Sequence, residues 1–306
     1  MRVIQCFFLR DWYKPLHTIK ELVATMIQWK RIFPEDTGAL YTDSEVWGIV
    51  EGILKENNLQ NPWDEVEVTE KYKTLRFHLF HDSPRFEIVR VQEEPFIFLD
   101  PDVFVFREFR TPEFLEARKL LQKKKEELFY TYVLFAASDS IVSVQKDLPE
   151  QIRSSLTYWS GEKELNMTNT GFFMCSPKIG KEIATEVLKL HGISQDIGMS
   201  YSIPYHEFVS SVVPLIYLKS RKIECRVLPN SGILHHCGAM MPGFEIAPAK
   251  SFGEKVFYDY KGFKTTPARL KLYEEVCNYI LQGNVLTLEK FANIRASIFS
   301  RKVSLV

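Results

Sequence analysis

Apolar and polar positions alternate along the first third of the chain in a way that predicts strands and helices in turn. Short apolar runs predict strands at Val3 to Leu9, Gly38 to Asp43 and Trp63 to Val68. Between these runs, apolar residues at helical spacing predict helices at Leu16 to Phe33 and Val46 to Lys55. This alternation favours a three-layer α/β fold with a mostly parallel central sheet flanked by helices.

The same analysis predicts helix and strand segments through the rest of the chain. A helix from Pro84 to Gln92 leads into the next strand, and a longer helix follows at Thr111 to Tyr130. Further strands are predicted at Phe129 to Ala136, Asn166 to Ser176, Ile223 to Leu228 and before His235. After about Thr265 only helical patterns remain, so we predict one domain over residues 1–262 and a helical carboxyl-terminal extension over residues 263–306 packed on it.

The most informative stretch is the apolar run that ends at Asp100-Pro101-Asp102. A strand of this kind is typical of the middle of a parallel sheet, where ligands bind beyond the carboxyl ends of the strands. Carboxylates this close repel each other unless a cation or a shared proton compensates them, and a divalent ion is the usual compensation when phosphates are the substrate. An exposed Asp-Pro-Asp turn is the alternative. The large apolar residues on both flanks favour a turn anchored in the core.

Composition and charge exclude several other classes of protein. Hydrophobic residues make up 45% and charged residues 25% of the chain, which is ordinary for a globular enzyme domain. Lysine plus arginine equals aspartate plus glutamate at 39 each, so no bulk field draws the protein to nucleic acid or to an anionic membrane. The five cysteines include no Cys-x-x-Cys pair, which favours a reducing, cytoplasmic location. No signal peptide or transmembrane segment is expected.

Four segments in order resemble the nucleotide-sugar glycosyltransferases of the GT-A fold. Phe96 to Val103 looks like the strand and Asp-x-Asp motif of their glycogenin-like retaining group and of related bacterial enzymes. Arg85 lies where those enzymes place a basic residue towards the donor. Asn169-Thr170-Gly171 resembles their Asn-Ala-Gly segment, and His235 to Pro242 resembles their late His-x-x-Gly-x-x-Lys-Pro motif. The resemblance covers roughly residues 1–245.

The resemblance implies a set of site residues and cofactors. The metal, Mn²⁺ or Mg²⁺, would be held by Asp100, Asp102 and His235. The donor would be a UDP-sugar, and the acceptor a glycan, a lipid-linked molecule or another compound. The implied catalytic residues are Asp100, Asp102, Asn169 and Glu207. The implied donor-binding residues are Phe8, Tyr41, Asp43, Arg85, Asp100 and Gly238.

Several of these residues have an ordinary structural alternative. Asp43 would equally serve as the N-cap of the following helix, Asn169 as a buried turn amide, and Glu207 as a surface acid. His236 is adjacent to His235, and because neighbouring side chains of an extended segment point to opposite sides, only one of the two faces the site. The glycine spacing favours His235.

Departures from the family pattern keep other functions open. Met241 stands where the late motif has the lysine that contacts the donor diphosphate, so Lys250 or Arg85 would have to serve, and Gly243 replaces its final tryptophan. A nucleotidyltransferase or a nucleotide-sugar hydrolase would use the same sheet and Asp pair. A catalytically silent binding domain is the third hypothesis, and the missing lysine is its best support.

Overall fold

A computed structural model of the protein describes most of the chain. The described residues are 1–9, 16–74, 80, 82–123, 128–137, 148–159, 165–199, 205, 208–227, 233–235 and 267–299. Within them, no helix is long and apolar enough to cross a membrane.

Strands and helices alternate in the predicted order from the amino terminus to the strand that ends at Leu99. The strands are β1 (Arg2–Phe7), β2 (Thr37–Thr42), β3 (Glu65–Val68), β4 (Phe96–Leu99), β5 (Val103–Val105), β6 (Leu128–Ala137), β7 (Leu165–Cys175), β8 (Glu224–Val227) and β9 (Ile233–His235). The helices are α1 (Leu16–Ile32), α2 (Ser44–Glu56), α3 (Ser83–Arg90), α4 (Pro112–Gln122), α5 (Glu150–Ser155), α6 (Pro177–Asp196), α7 (Val213–Ser220), α8 (Pro267–Leu281) and α9 (Leu288–Phe299).

The central sheet is mostly parallel, as the strand-helix alternation predicted. In the described part of the chain it has seven strands in the order β3-β2-β1-β4-β7-β6-β8. The strand β7 is the exception, because it runs antiparallel to both of its neighbours, β4 and β6. A second, two-stranded sheet pairs β5 with β9 in antiparallel register.

Helices cover both faces of the sheet and give the predicted three-layer α/β architecture. Along β4 the side chains alternate between two hydrophobic clusters: Ile97 and Leu99 pack towards α1, α2, α4, α8 and α9, whereas Phe96 and Phe98 pack towards α3, α5, α6 and α7. All four β4 residues are fully buried, which confirms that this apolar run is a central strand.

The carboxyl-terminal helices share the core of the first face. The buried amide of Gln28 on α1 donates to the carbonyls of Val105 (2.9 Å) and Leu286 (3.0 Å), and its oxygen accepts from Leu286 N at 2.9 Å. Cys277 and Ile280 of α8 are buried in the same cluster as α1. The carboxyl-terminal segment is helical, as predicted, while the division into a domain and an extension at residue 262 stays a prediction, since residues 236–266 lie outside the described part.

Two features of the fold differ from the sequence prediction. The helix predicted to reach Tyr130 is shorter, because α4 ends at Gln122 and Tyr130 belongs to β6. The helix α6, with 20 residues, was not predicted, although Ser176 caps its N-terminus through Ile179 N at 3.4 Å and Pro177 occupies its first position.

Candidate active site

The Asp pair lies at the carboxyl end of the central strand β4. Asp100 N donates to the carbonyl of Gly171 on β7 at 2.7 Å, and Val103 N donates to the carbonyl of Asp100 at 3.2 Å. Both aspartate side chains are half-buried, and the strand that follows, β5, is fully buried. The turn is therefore anchored in the core on both sides, as the apolar flanks predicted.

Arg85 on α3 forms an ion pair with Asp100 at this turn. Its Nη2 atom lies 2.8 Å from Oδ1 and 2.7 Å from Oδ2 of Asp100. The guanidinium also lies over the ring of Phe98, with 5.1 Å between Cζ and the ring centroid. Burial by itself would lower the pKa of Arg85, but the negative charges of Asp100 and Asp82 outweigh burial and raise that pKa above its ordinary value.

Two further predicted residues belong to strands that border the Asp pair. Asn169 lies on β7, two residues before Gly171, whose carbonyl accepts from Asp100 N. His235 is the last residue of β9, and its backbone lies opposite Val103, the residue that follows Asp102. The backbones of both segments are thus brought to the Asp turn, and their side chains lie outside what the structure describes.

Asp43 caps helix α2, which is the structural alternative named for it. Its Oδ1 atom accepts from Val46 N at 2.9 Å, and its Oδ2 atom accepts from Leu9 N at 2.8 Å. The Nζ atom of Lys73 lies 3.2 Å from the same Oδ2. Burial lowers the pKa of Lys73, but the carboxylate of Asp43 and then that of Glu70 raise it overall. Asp43 therefore ties the end of β1 to the start of α2 and to the segment after β3.

Phe8 and Tyr41 belong to an aromatic cluster with Tyr72. The ring of Tyr72 lies 5.7 Å from that of Phe8 and 6.4 Å from that of Tyr41, both in edge-to-face geometry. All three side chains are buried on the α3 face of the sheet. The hydroxyl of Tyr41 accepts from Gln92 Nε2 at 3.4 Å. This cluster lies at the carboxyl ends of β1 and β2 and shares its face of the sheet with Arg85.

The remaining predicted residues lie outside the described part of the chain. These are Glu207, His236, Gly238, Met241, Gly243 and Lys250. Within the described part, no group of three His, Cys, Asp or Glu side chains is placed to hold a metal ion. The structure therefore places two of the three predicted metal ligands, Asp100 and Asp102, and the backbone of the third.

The sequence analysis did not identify Tyr72 and Lys73, nor the contact between His191 and Ser83 near Arg85. Tyr72 and Lys73 follow β3 at the carboxyl end of a parallel strand, which is the general position of ligand-binding residues in α/β sheets and a usable signal. His191 on α6 contacts Ser83 at the start of α3, and their separation of 108 positions along the chain leaves no local signal for that contact.

Comparison with protein-family models assigns the chain to a family. A family described as "Family of unknown function (DUF6734)" matches residues 9–176, which is more than half of the 306 residues. The chain belongs to this family. Among curated proteins, no sequence matches it.

Solved structures of glycosyltransferases resemble the DUF6734 chain in part. The alignment with mouse xyloside xylosyltransferase 1, in its apo form, covers 74% of this chain and 84% of the xylosyltransferase chain, with a TM-score of 0.41 and 9% identity. The alignment with the galactosyltransferase LgtC, in complex with donor and acceptor sugar analogues, covers 87% of this chain and 97% of the LgtC chain, with a TM-score of 0.40 and 14% identity. Structural similarity this low does not indicate function, so a functional proposal has to rest on the residues of the site.

Proposed function

We propose that the protein is a metal-dependent glycosyltransferase of the GT-A type that moves a sugar from a nucleoside-diphosphate sugar to a glycan, lipid-linked or other acceptor. The observation that carries the proposal is the turn Asp100-Pro101-Asp102 at the carboxyl end of the buried central strand, with β7 and β9 beside it. The resemblance of the chain to the glycogenin-like enzymes favours UDP as the nucleotide and a retaining outcome.

The chemistry of the donor set fits a hard divalent cation. Carboxylate oxygens are the ligands that Mn²⁺ and Mg²⁺ prefer, and the turn presents two carboxylates one residue apart. Asp100 and Asp102 would hold the ion, with His235 as the proposed third ligand. When bound, such a cation stabilises the negative charge that develops on the departing diphosphate.

The spacing of the strands suits a nucleoside diphosphate. The carboxyl ends of β2, β1 and β4 lie side by side at one edge of the sheet. Neighbouring strands are about 4.8 Å apart, so Asp43 at the end of β2 lies roughly 10 Å across the sheet from the end of β4. One nucleotide would bridge that distance, with its nucleoside near Lys73 and the aromatic cluster and its phosphates at the Asp pair.

Arg85 would provide the positive charge that the lysine of the late motif supplies in the glycogenin-like enzymes. Met241 replaces that lysine, and the guanidinium of Arg85 forms an ion pair with Asp100. Asp43, whose two oxygens already accept from Val46 N and Leu9 N, would act by holding the ends of β1 and β2 together rather than by contacting the nucleotide.

Release of nucleotide from a donor panel tests the proposal. UDP-, GDP- and CMP-sugars are incubated with Mn²⁺, and free nucleotide and the fate of the sugar are measured. We expect slow release from a UDP-sugar, with loss of release in Asp102→Asn and a melting temperature close to that of the parent. Glu94→Gln is the matched control, because Glu94 is exposed and lies just before the opposite end of β4. No release from any donor would reject the proposal, and nucleotidyl transfer in the product analysis would favour a nucleotidyltransferase.

A silent binding domain is the second candidate, and one observation favours it. Both carboxylate oxygens of Asp100 accept from Arg85, so a cation has to compete with an ion pair that is already formed. Metal-dependent binding of the nucleotide without any sugar release would support this reading. If neither nucleotide binding nor sugar release depends on Mn²⁺ in any assay, the metal has no part in either candidate function.

A further inference from the structure

A buried polar cluster lies behind Arg85, between helices α3 and α6. His191 of α6 is fully buried, and Asp82 and Ser83 at the start of α3 are each 2% exposed. The imidazole Nδ1 lies 3.1 Å from Ser83 Oγ, and Nε2 lies 3.7 Å from Asp82 Oδ1. The ring also stacks on Phe80, with parallel planes and 4.3 Å between the centroids.

Burial of an imidazole, a carboxylate and a hydroxyl together is costly unless their contacts compensate for the loss of water. A cluster with such a requirement tolerates little displacement of its members. The same two helices are also closely packed about three turns away along α6, where a Cβ at Gly180 would lie 2.9 Å from Phe96 Cζ and 3.2 Å from Val89 Cγ1. The helix α3 is therefore held against α6 and β4 at that end as well as at His191.

Arg85 extends from the turn of helix that this cluster holds. Ser83 is the first residue of α3, Asp82 precedes it, and Phe86 N donates to the carbonyl of Asp82 at 3.3 Å. Arg85 lies within that same turn and reaches Asp100 across the face of the sheet. The charge of Asp82 also acts on Arg85 directly, since it is among the charges that raise the pKa of Arg85.

We propose that His191 is a positioning residue which, through Ser83 and Asp82, fixes the first turn of α3 and so holds Arg85 against Asp100. The relevance of this positioning to catalysis rests on the proposed function of the Asp100 site. The positioning itself does not, because it concerns contacts within the chain alone.

The variants separate positioning from general stability. His191→Phe keeps a ring that can stack on Phe80 and removes both polar contacts of the imidazole. Ser83→Ala removes only the hydroxyl that faces Nδ1. Ser194→Ala is the matched control, because Ser194 is equally buried on α6. Its hydroxyl bonds to the Leu190 carbonyl (2.7 Å) and the Tyr205 hydroxyl (2.5 Å) rather than to Asp82 or Ser83. His191→Asn retains an amide near the Nδ1 position and should restore part of the contact with Ser83.

The first readout is the ¹⁵N NMR signal of the Arg85 side chain, assigned by its loss in Arg85→Met. The Arg85 Nε atom is buried, so its proton should exchange slowly with solvent. We expect at least tenfold faster exchange in His191→Phe, a smaller increase in Ser83→Ala, partial recovery in His191→Asn and no change in Ser194→Ala. Unchanged exchange in both His191→Phe and Ser83→Ala, or an equal effect of Ser194→Ala, would overturn the proposal. If His191→Phe does not fold, Ser83→Ala and His191→Asn carry the same comparison.

The second readout is the Kd for Mn²⁺, measured in a double-mutant cycle of His191→Phe with Arg85→Met. If His191 acts through Arg85, the double variant should bind Mn²⁺ within about twofold of Arg85→Met alone. Independent, multiplying effects of the two substitutions would contradict the proposal. If the parent protein binds no Mn²⁺ while the Arg85 signal responds as expected, the proposed function fails and the positioning role stands.

Discussion

Replacing Arg85 with methionine should tighten the binding of Mn²⁺ while it weakens the fold. The guanidinium of Arg85 lies 2.7 and 2.8 Å from the two carboxylate oxygens of Asp100, which are the oxygens that a cation would have to share. Removal of the side chain releases Asp100 and also removes a positive charge from the neighbourhood of the ion. Methionine keeps the length of the aliphatic stem but removes the guanidinium that lies over the ring of Phe98.

The size of the effect follows from the distances. An ion bound to Asp100 would lie roughly 5 Å from the guanidinium, and at an effective dielectric constant of about 20 to 40 the two would repel by about 3 to 7 kcal/mol. Because the arginine can turn aside from an incoming ion, only part of this repulsion is felt, and we expect about 1.4 to 3 kcal/mol, which is at least tenfold in Kd. The lost ion pair, with side chains 13% and 16% exposed, should lower the free energy of unfolding by about 1 to 3 kcal/mol.

Calorimetric titration of Mn²⁺ into the parent and Arg85→Met gives the two affinities, and urea unfolding gives the stabilities. Arg90→Met is the control, because Arg90 lies on the same helix, pairs with Glu87 and is 44% exposed. It should change neither quantity by more than a small amount. Weaker Mn²⁺ binding by Arg85→Met would refute the reasoning, since it would mean that Arg85 orients Asp100 for the ion instead of competing with it.

Three further predictions concern the stability of the fold. Gly180→Ala should lower the free energy of unfolding, measured in urea, by about 1 to 3 kcal/mol, because the new Cβ would lie 2.9 Å from an aromatic carbon of β4. Gly48→Ala in α2 is the control: its Cβ would have no atom within 4 Å, so the free energy of unfolding should rise by up to about 1 kcal/mol. Gln28→Leu should cost about 2 to 5 kcal/mol in the same assay, since three buried hydrogen bonds to β5 and the carboxyl-terminal segment are lost; a cost near zero would show that these bonds do not hold the extension. For Asp64, burial raises the pKa but the Gly38 N–H and the Lys30 ammonium lower it overall, so its stabilisation is present above the unfolded pKa of about 3.9 and is lost as pH falls through the lower folded pKa. Asp64→Asn should therefore cost less than about 1 kcal/mol at pH 7, with a difference from the parent that vanishes in acid, because the carboxylate is 45% exposed.

Local patterns predicted the parts of the fold that depend on local chemistry. The strand β4 and the turn after it were predicted because an unbroken apolar run followed by Asp-Pro-Asp fits few structures other than a buried strand end. The alternative role of Asp43 was also predicted, since Asp-Ser-Glu-Val is a typical helix start, and Asp43 Oδ1 accepts from Val46 N at 2.9 Å.

Features that depend on distant parts of the chain were not predictable in this way. The antiparallel direction of β7 is set by the side from which the chain re-enters the sheet, and the apolar pattern of a buried strand is the same in either direction. The helix α4 was predicted too long because lysine and glutamate favour helix, whereas Tyr130 pairs with Met174 in the sheet. The contact between His191 and Ser83 arises only when α3 and α6 pack together.

The most direct test of the proposed function is a calorimetric titration of UDP into the protein with and without Mn²⁺, performed on the parent and on Asp102→Asn. The account predicts that UDP binds in the presence of Mn²⁺, that binding is at least tenfold weaker without the ion, and that Asp102→Asn abolishes this dependence while its melting temperature stays close to that of the parent. Binding of UDP that is equally strong with and without Mn²⁺, or a dependence on Mn²⁺ that survives in Asp102→Asn, would contradict the claim that the Asp pair holds a metal for the donor.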